Sequence, residues 1–172
     1  ETALAIREGK YSCLEVVQSA VARLSSVNPD LNAVTVDLTK EALDAAIEAD
    51  LALSNGINPG PLYGVPITLK ENIDLEGKAT TLGVSHFLNN VAPGDAPVVR
   101  SLKEAGAIII GQTNMPEFGL RWVTDNPLRG STNNPWDPER TPGGSSGGAA
   151  AAVAMGIGSI AHGNDLGGSL RY

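Results

Sequence analysis

Two glycine-rich clusters near the end of the chain place serines where nucleophilic chemistry is feasible. Residues 143–148 read Gly-Gly-Ser-Ser-Gly-Gly and run straight into the alanine-rich stretch 149–154. An alanine run is a strong helix former, so Ser145 and Ser146 fall at a helix N-terminus, where free backbone N–H groups and the helix dipole favour negative charge. A flexible Gly/Ser linker is the plainer reading, but linkers seldom lead directly into such a helix. The second cluster is Asp165-Leu166-Gly167-Gly168-Ser169-Leu170-Arg171. Successive amides with small side chains can cradle an anion, and a serine at their end can attack a carbonyl whose oxygen those amides then stabilise. Asp165 and Arg171 are expected to form a structural salt bridge that holds this loop shut.

A serine needs a base, and two routes are open. Gly143-x-Ser145-x-Gly147 formally matches the nucleophile elbow of Ser-His-Asp hydrolases, with His162 or His86 as base. That elbow sits between a strand and a helix, however, and the proline-rich residues 135–142 cannot easily make a central strand. The other route is Lys70, at the end of the apolar run Val65-Pro-Ile-Thr-Leu69. Burial disfavours the charged form of a lysine and lowers its pKa toward that of a usable base, although an ordinary strand-end charge is the plain reading of Lys70 taken alone. Gly156-x-Gly158-x-x-Ala161 imitates a dinucleotide fingerprint but follows a helix where the fingerprint requires a strand, and a P-loop is missing its lysine.

These residues need a scaffold, and the pattern along the chain predicts one. Ser12 and Glu15 form a capping-box pattern ahead of Leu14, Val17, Ala20, Val21 and Leu24 at helical spacing, with Pro29 expected just past the helix end. Lone Cys13 reads as a small packing residue in that helix. A short β-prone run at 33–36 leads to a second helix carrying Ala42, Leu43, Ala46, Ile47 and Leu51, closed by Asn55 and Gly56; a Pro/Gly loop at 58–64 follows. Residues 65–69 then read as a strand, residues 95–105 as a helix ended by Gly106, and 107–110 as a buried strand. Strand, helix, glycine and strand in that order are the habit of α/β proteins with a largely parallel sheet. Residues 116–144 form a long loop dense in Pro, Asn, Gly and Arg, and a loop that long inside a compact domain is usually functional.

Composition narrows the partners. The 172 residues carry a formal net charge of −7 with 42% hydrophobic and 18% charged residues, so no basic patch supports a nucleic-acid or anionic-membrane role. The uncharged stretch from Thr141 to Asn164 is broken by Pro142, its Ser and Gly residues and His162, which argues against a membrane span. A single Cys and the lack of zinc-like Cys/His spacing fit a reducing compartment and no structural metal; a cytoplasmic location and no cofactor are expected. The first residue is Glu and no stop signal precedes Tyr172, so a fragment open at both ends is expected.

Taken together, Gly64-Val-Pro-Ile-Thr-Leu-Lys70-Glu-Asn-Ile-Asp74, Gly111-Gln-Thr-Asn-Met-Pro-Glu-Phe118, Pro142-Gly-Gly-Ser-Ser-Gly-Gly148 and Gly167-Gly-Ser169-Leu-Arg171 resemble the amidase signature family of serine hydrolases. The resemblance covers essentially the whole chain, with the motifs in the family's order. It implies an α/β fold, a mixed and largely parallel central sheet flanked by helices, present here only in part. A helical front over about 1–57 and a catalytic core over about 58–172 would form the N-terminal part of a single domain.

The same resemblance implies a Ser–Ser–Lys triad: Ser169 as nucleophile, Ser145 as bridging serine after a cis peptide bond, and Lys70 as base. The amides of Leu166, Gly167, Gly168 and Ser169 would form the oxyanion hole, with Ser146, Asp165 and Arg171 in support. The implied reaction is hydrolysis of a carboxylic amide through an acyl-enzyme, releasing ammonia or an amine. The expected partner is a small-molecule amide, with homodimerisation left open and neither nucleic acid nor membrane favoured. Transamidating subunits that act on mischarged tRNA usually show Thr in the Asp-Thr-Gly-Gly-Ser motif and Gln after Ile-Arg, where this chain has Leu166, Leu170 and Tyr172. A stand-alone amidase is therefore favoured. The alternatives are an inactive truncated fragment and the A-type subunit of a glutamine-dependent tRNA amidotransferase.

Overall fold

The computed structural model describes residues 1–57 and 60–172. Its first elements are α1 (Thr2–Arg7), α2 (Cys13–Leu31), β1 (Val34–Asp37) and α3 (Thr39–Ser54). The capping box that opens α2 is reciprocal: Glu15 N–H donates to Ser12 Oγ at 3.0 Å and Ser12 N–H donates to Glu15 Oε2 at 2.8 Å. Cys13, Val17, Ala20 and Leu24 are buried along one face, and burial pushes the Cys13 thiol up to about 12. Pro29 departs from expectation, because it lies inside the last turn and the helix continues to Leu31. Leu31 is buried in the core, and Asn28 Oδ1 takes the N–H groups of Ala33 and Val34 at 3.0 and 2.9 Å, which fastens the chain as it leaves the helix and outweighs the one bond that proline cannot make.

In α3 only Ala42 and Ala46 are buried; Ile47 and Leu51, at matching helical spacing, are 46% and 60% exposed. Small alanines bring the helix close to its neighbours and leave the larger residues flanking the contact.

The remaining elements are β2 (Pro66–Lys70), α4 (Pro97–Glu104), β3 (Ile108–Thr113), a short pair β4 (Asp125–Asn126) and β5 (Gly130–Ser131), α5 (Gly147–Ala154) and β6 (Ile160–Ala161). The main sheet runs β1-β3-β2-β6, with β2 parallel to both β3 and β6 and β1 antiparallel to β3. This is the expected mixed, largely parallel sheet. Every residue of β2 is buried, Thr68 and Lys70 included, as expected of a central parallel strand covered on both faces.

Apolar clusters cover both sheet faces. One joins residues of α2 and α3 to Ile108, Ile110 and α5; the other joins Ala3 and Val99 to Val65, Ile67 and Leu69. Of the connection expected at 58–64, residues 58 and 59 lie outside the described residues; beyond them Leu62 and Gly64 donate to Ala105 O and Gly106 O, both at 2.9 Å. The long loop at 116–144 contains the β4–β5 pair and otherwise lacks extended regular structure. No helix among the described residues is long and apolar enough to cross a membrane.

Candidate active site

Three segments converge at one end of β2. The strand delivers Lys70, whose residue is 0% exposed. The N-terminus of α5 delivers Ser145 and Ser146, and the turn after β6 delivers Ser169. The first turn of α5 sits directly on the end of β3: a Cβ at Gly148 would lie 2.5 Å from Asn114 O and 2.6 Å from Asn114 N, so only hydrogen fits there. The Gly144–Ser145 peptide bond is cis.

The result is an unbroken chain of polar contacts. Lys70 Nζ lies 2.7 Å from Ser145 Oγ, and Ser145 Oγ lies 2.8 Å from Ser169 Oγ. Lys70 Nζ also donates to Ser146 Oγ and to Asn164 Oδ1, each at 3.0 Å. Ser146 Oγ donates to Asn164 O at 3.1 Å, and Ser146 N–H donates to Ser169 O at 3.2 Å. Burial pulls the Lys70 ammonium down to about 8, and the negative charge of Asp165 opposes that shift in part. Lys70 is thus a buried cation with only neutral groups in contact, an arrangement that disfavours its charged form.

Neither histidine joins this chain: among the described residues no hydrogen bond links His86 or His162 to Ser145, and His162 Nδ1 is buried without a partner. Burial and then the charge of Lys70 hold His162 below its ordinary pKa.

The loop that carries Ser169 is folded around Asp165. Arg171 Nε donates to Asp165 Oδ2 at 2.9 Å and Arg171 Nη2 donates to Asp165 Oδ1 at 3.0 Å, in the salt bridge the sequence suggests. Asp165 also accepts the amides of Gly168 at 2.6 Å and Leu170 at 3.1 Å. Arg171 first, and these amides after it, hold the Asp165 carboxyl far below the usual carboxylate range. The Gly168 N–H, expected with its neighbours to face an oxyanion, donates here to Asp165, a carboxylate three residues upstream and a strong acceptor. The amides of Leu166, Gly167 and Ser169 donate to no other described residue.

Some contributors were not apparent from the sequence. Asn164 touches Lys70 directly, yet its only signal was its place beside Asp165. Glu71 follows Lys70 in the chain, is fully buried, and accepts from Arg129 Nη2 at 2.7 Å, Thr81 Oγ1 at 2.5 Å and Thr35 Oγ1 at 3.1 Å. It ties the end of β2 to the long loop. Trp122, from the same loop, donates its indole N–H to Gly167 O at 3.3 Å and packs on Tyr172 with ring centroids 5.4 Å apart. A groove of about 250 Å³ beside Ser169 is lined by Leu170, Tyr172, Ala150 and Val153 among others.

Comparison with known proteins adds the following. Residues 15–172 match the family model described as Amidase. The chain is 60% identical to an indoleacetamide hydrolase of Bradyrhizobium diazoefficiens over 172 residues, all of this chain and 33% of that protein. It is 42% identical to the A-type subunit of the glutamyl-tRNA(Gln) amidotransferase of Carboxydothermus hydrogenoformans over 166 residues, 96% of this chain and 34% of that one. Among solved structures, a bacterial aryl acylamidase of the amidase signature family superposes with a TM-score of 0.89 at 36% identity, covering 97% of this chain and 35% of the other. The chain thus spans about a third of the length of the relatives it matches.

Proposed function

The chain belongs to the amidase signature family, and we propose that it carries the catalytic residues of an amide hydrolase, with Ser169 as nucleophile, Ser145 as relay and Lys70 as base. The observation that supports this reading is the contact chain of 2.7 and 2.8 Å from Lys70 through Ser145 to Ser169. Neutral Lys70 accepts the proton of Ser145 as Ser145 accepts that of Ser169, and Ser169 Oγ bonds to the amide carbon. The carbonyl oxygen becomes an oxyanion, stabilised by the amides of Leu166, Gly167 and Ser169; losing one such donor typically costs ~10²–10³ in rate. Running in reverse, the relay delivers a proton to the departing nitrogen, so the C–N bond breaks with ammonia or an amine leaving. Water then adds to the acyl-enzyme by the same steps, freeing the acid and Ser169.

The substrate we propose is a small primary amide with an apolar acyl group, indoleacetamide being the first to test, since the hydrolase of that name shares 60% identity with this chain. The amidotransferase relative at 42% identity supports a second reading, in which ammonia is released from glutamine for a partner. A fluorophosphonate probe is expected to label Ser169, with labelling abolished in Lys70→Ala and retained in His162→Ala. Labelling of Ser145 that depends on His162 would overturn the relay. Ammonia release from indoleacetamide rather than glutamine separates the two substrate readings.

A further inference from the structure

A relay through a lysine works only if the amine lone pair points at one hydroxyl, and two serine hydroxyls lie within 3.0 Å of Lys70 Nζ. We infer that Asn164 is the positioning residue that makes Lys70 a base toward Ser145 alone, an inference that rests on the relay reading above.

Proton counting carries it. A neutral amine has two N–H donors and one lone pair. Asn164 Oδ1, 3.0 Å from Nζ, has no proton to give, so it takes one N–H. Ser146 Oγ, also at 3.0 Å, spends its single proton on the main-chain oxygen of Asn164 at 3.1 Å, so toward Lys70 it acts only as an acceptor and takes the other N–H. Ser145 Oγ, at 2.7 Å, has among the described residues only the Ser169 hydroxyl as its other partner, at 2.8 Å; two hydroxyls can exchange donor and acceptor, so once Ser169 donates, the Ser145 proton is free to turn to the lone pair. Both restrictions trace to Asn164, one through its side chain and one through its backbone. Gly163 permits the approach: a Cβ there would lie 2.5 Å from Leu170 Cδ2 and 3.0 Å from Ser146 Oγ.

The titratable groups near Lys70 are few. Asp165, paired with Arg171, lies in the loop after Asn164, His162 stands at the end of β6, and Glu71, just past β2, is paired with Arg129. The N-terminus of α5 presents the hydroxyls of Ser145 and Ser146, and on β3 Thr113 is the register partner of Lys70.

The test is the rate constant for fluorophosphonate labelling of Ser169 in the full chain, followed from pH 6 to 10 in wild type, Asn164→Asp and Asn164→Ala, with Lys70→Ala alongside. A carboxylate at 164 favours the ammonium, so the acid limb of the Asn164→Asp profile is expected to move up by about 1–2 pH units. Loss of the acceptor in Asn164→Ala moves the limb down while lowering the alkaline plateau roughly tenfold. A merely structural residue would slow labelling at every pH without moving the limb in opposite directions. Limbs that stay at the wild-type position in both variants, with Lys70→Ala inert, overturn the inference and leave the relay standing. Labelling that survives in Lys70→Ala overturns the relay itself.

Discussion

Lys70 and Glu71 are consecutive residues of one chain segment, both fully buried, and they do opposite things with their charge. Glu71 meets a guanidinium: Arg129 approaches through two nitrogens at 2.7 and 3.2 Å, and two threonine hydroxyls fill the remaining acceptor sites. Lys70 contacts two hydroxyls and an amide oxygen, all neutral. A buried charge matched by a countercharge serves as a tie. A buried charge surrounded by neutral dipoles is left close to losing its proton. At the same depth of burial one residue is held by a countercharge and the next, the base of the proposed relay, is not; the difference lies in what the partners carry.

The largest consequence falls on Lys70. Replacing it with Met is expected to lower Ser169 labelling by at least about 10³, since no other base among the described residues contacts Ser145. The fold should not suffer in proportion, because a buried cation without a countercharge is exchanged for an apolar chain of similar length. Stability should also report the buried amine. With its folded pKa lowered to about 8 from 10.5, Lys70 binds fewer protons folded than unfolded between those values, so its contribution to stability rises with pH across that window. The stability difference between wild type and Lys70→Met, taken from urea melts at pH 7 and pH 10, should shift in favour of wild type at the higher pH. An unchanged difference would mean that Lys70 titrates alike in both states.

Glu71→Gln tests the other half of the contrast. It strips the countercharge from Arg129, which is itself mostly buried, and is expected to cost about 3 kcal/mol of unfolding free energy. Removing both charges, as Glu71→Met with Arg129→Leu, should recover much of that loss if the pair is a fastener rather than a functional group. Ser169 labelling in the double variant, compared at equal folded fraction, should stay within a few-fold of wild type.

How much of this could be read beforehand follows from the range of each interaction. The capping box of Ser12 and Glu15, the buried strand ending in Lys70 and the helix entered at Ser145 are all encoded within a few neighbouring residues, and the structure contains them where the sequence suggests. The meeting of Lys70, Ser145 and Ser169 spans 75 and 24 residues and was legible only through resemblance to a family. Asn164 and Arg129 carry no local pattern; their roles come from tertiary partners 94 and 58 residues away. Pro29 misleads for a related reason, since a propensity that ends helices is outweighed by burial of Leu31 and by the Asn28 side chain. The hydrogen bond from the Gly168 amide to Asp165 is likewise set by how the loop folds back, which no local pattern reveals.

The smallest expected effects come from the exposed pair at the rim, and they test whether a charge that does not touch Lys70 still tunes it. Asp165 raises the pKa of Lys70 against the larger effect of burial. Asp165→Asn removes that influence, so the acid limb of the labelling profile should move down by a few tenths of a pH unit, about the size expected for one partly screened charge. Arg171→Ala leaves Asp165 without its guanidinium partner, so its field on Lys70 is less compensated and the limb should move up by a similar amount. The two substitutions loosen the same loop, and any slowing they share reports lost support for the amides of Leu166, Gly167 and Ser169. Their opposite signs on the pH axis cannot arise from loosening. Shifts of the same sign would mean that the loop geometry, and not the charge of Asp165, sets the protonation of Lys70; repeating the profiles at 1 M salt, where the Debye length falls to about 3 Å, should shrink a true field effect and leave a geometric one in place.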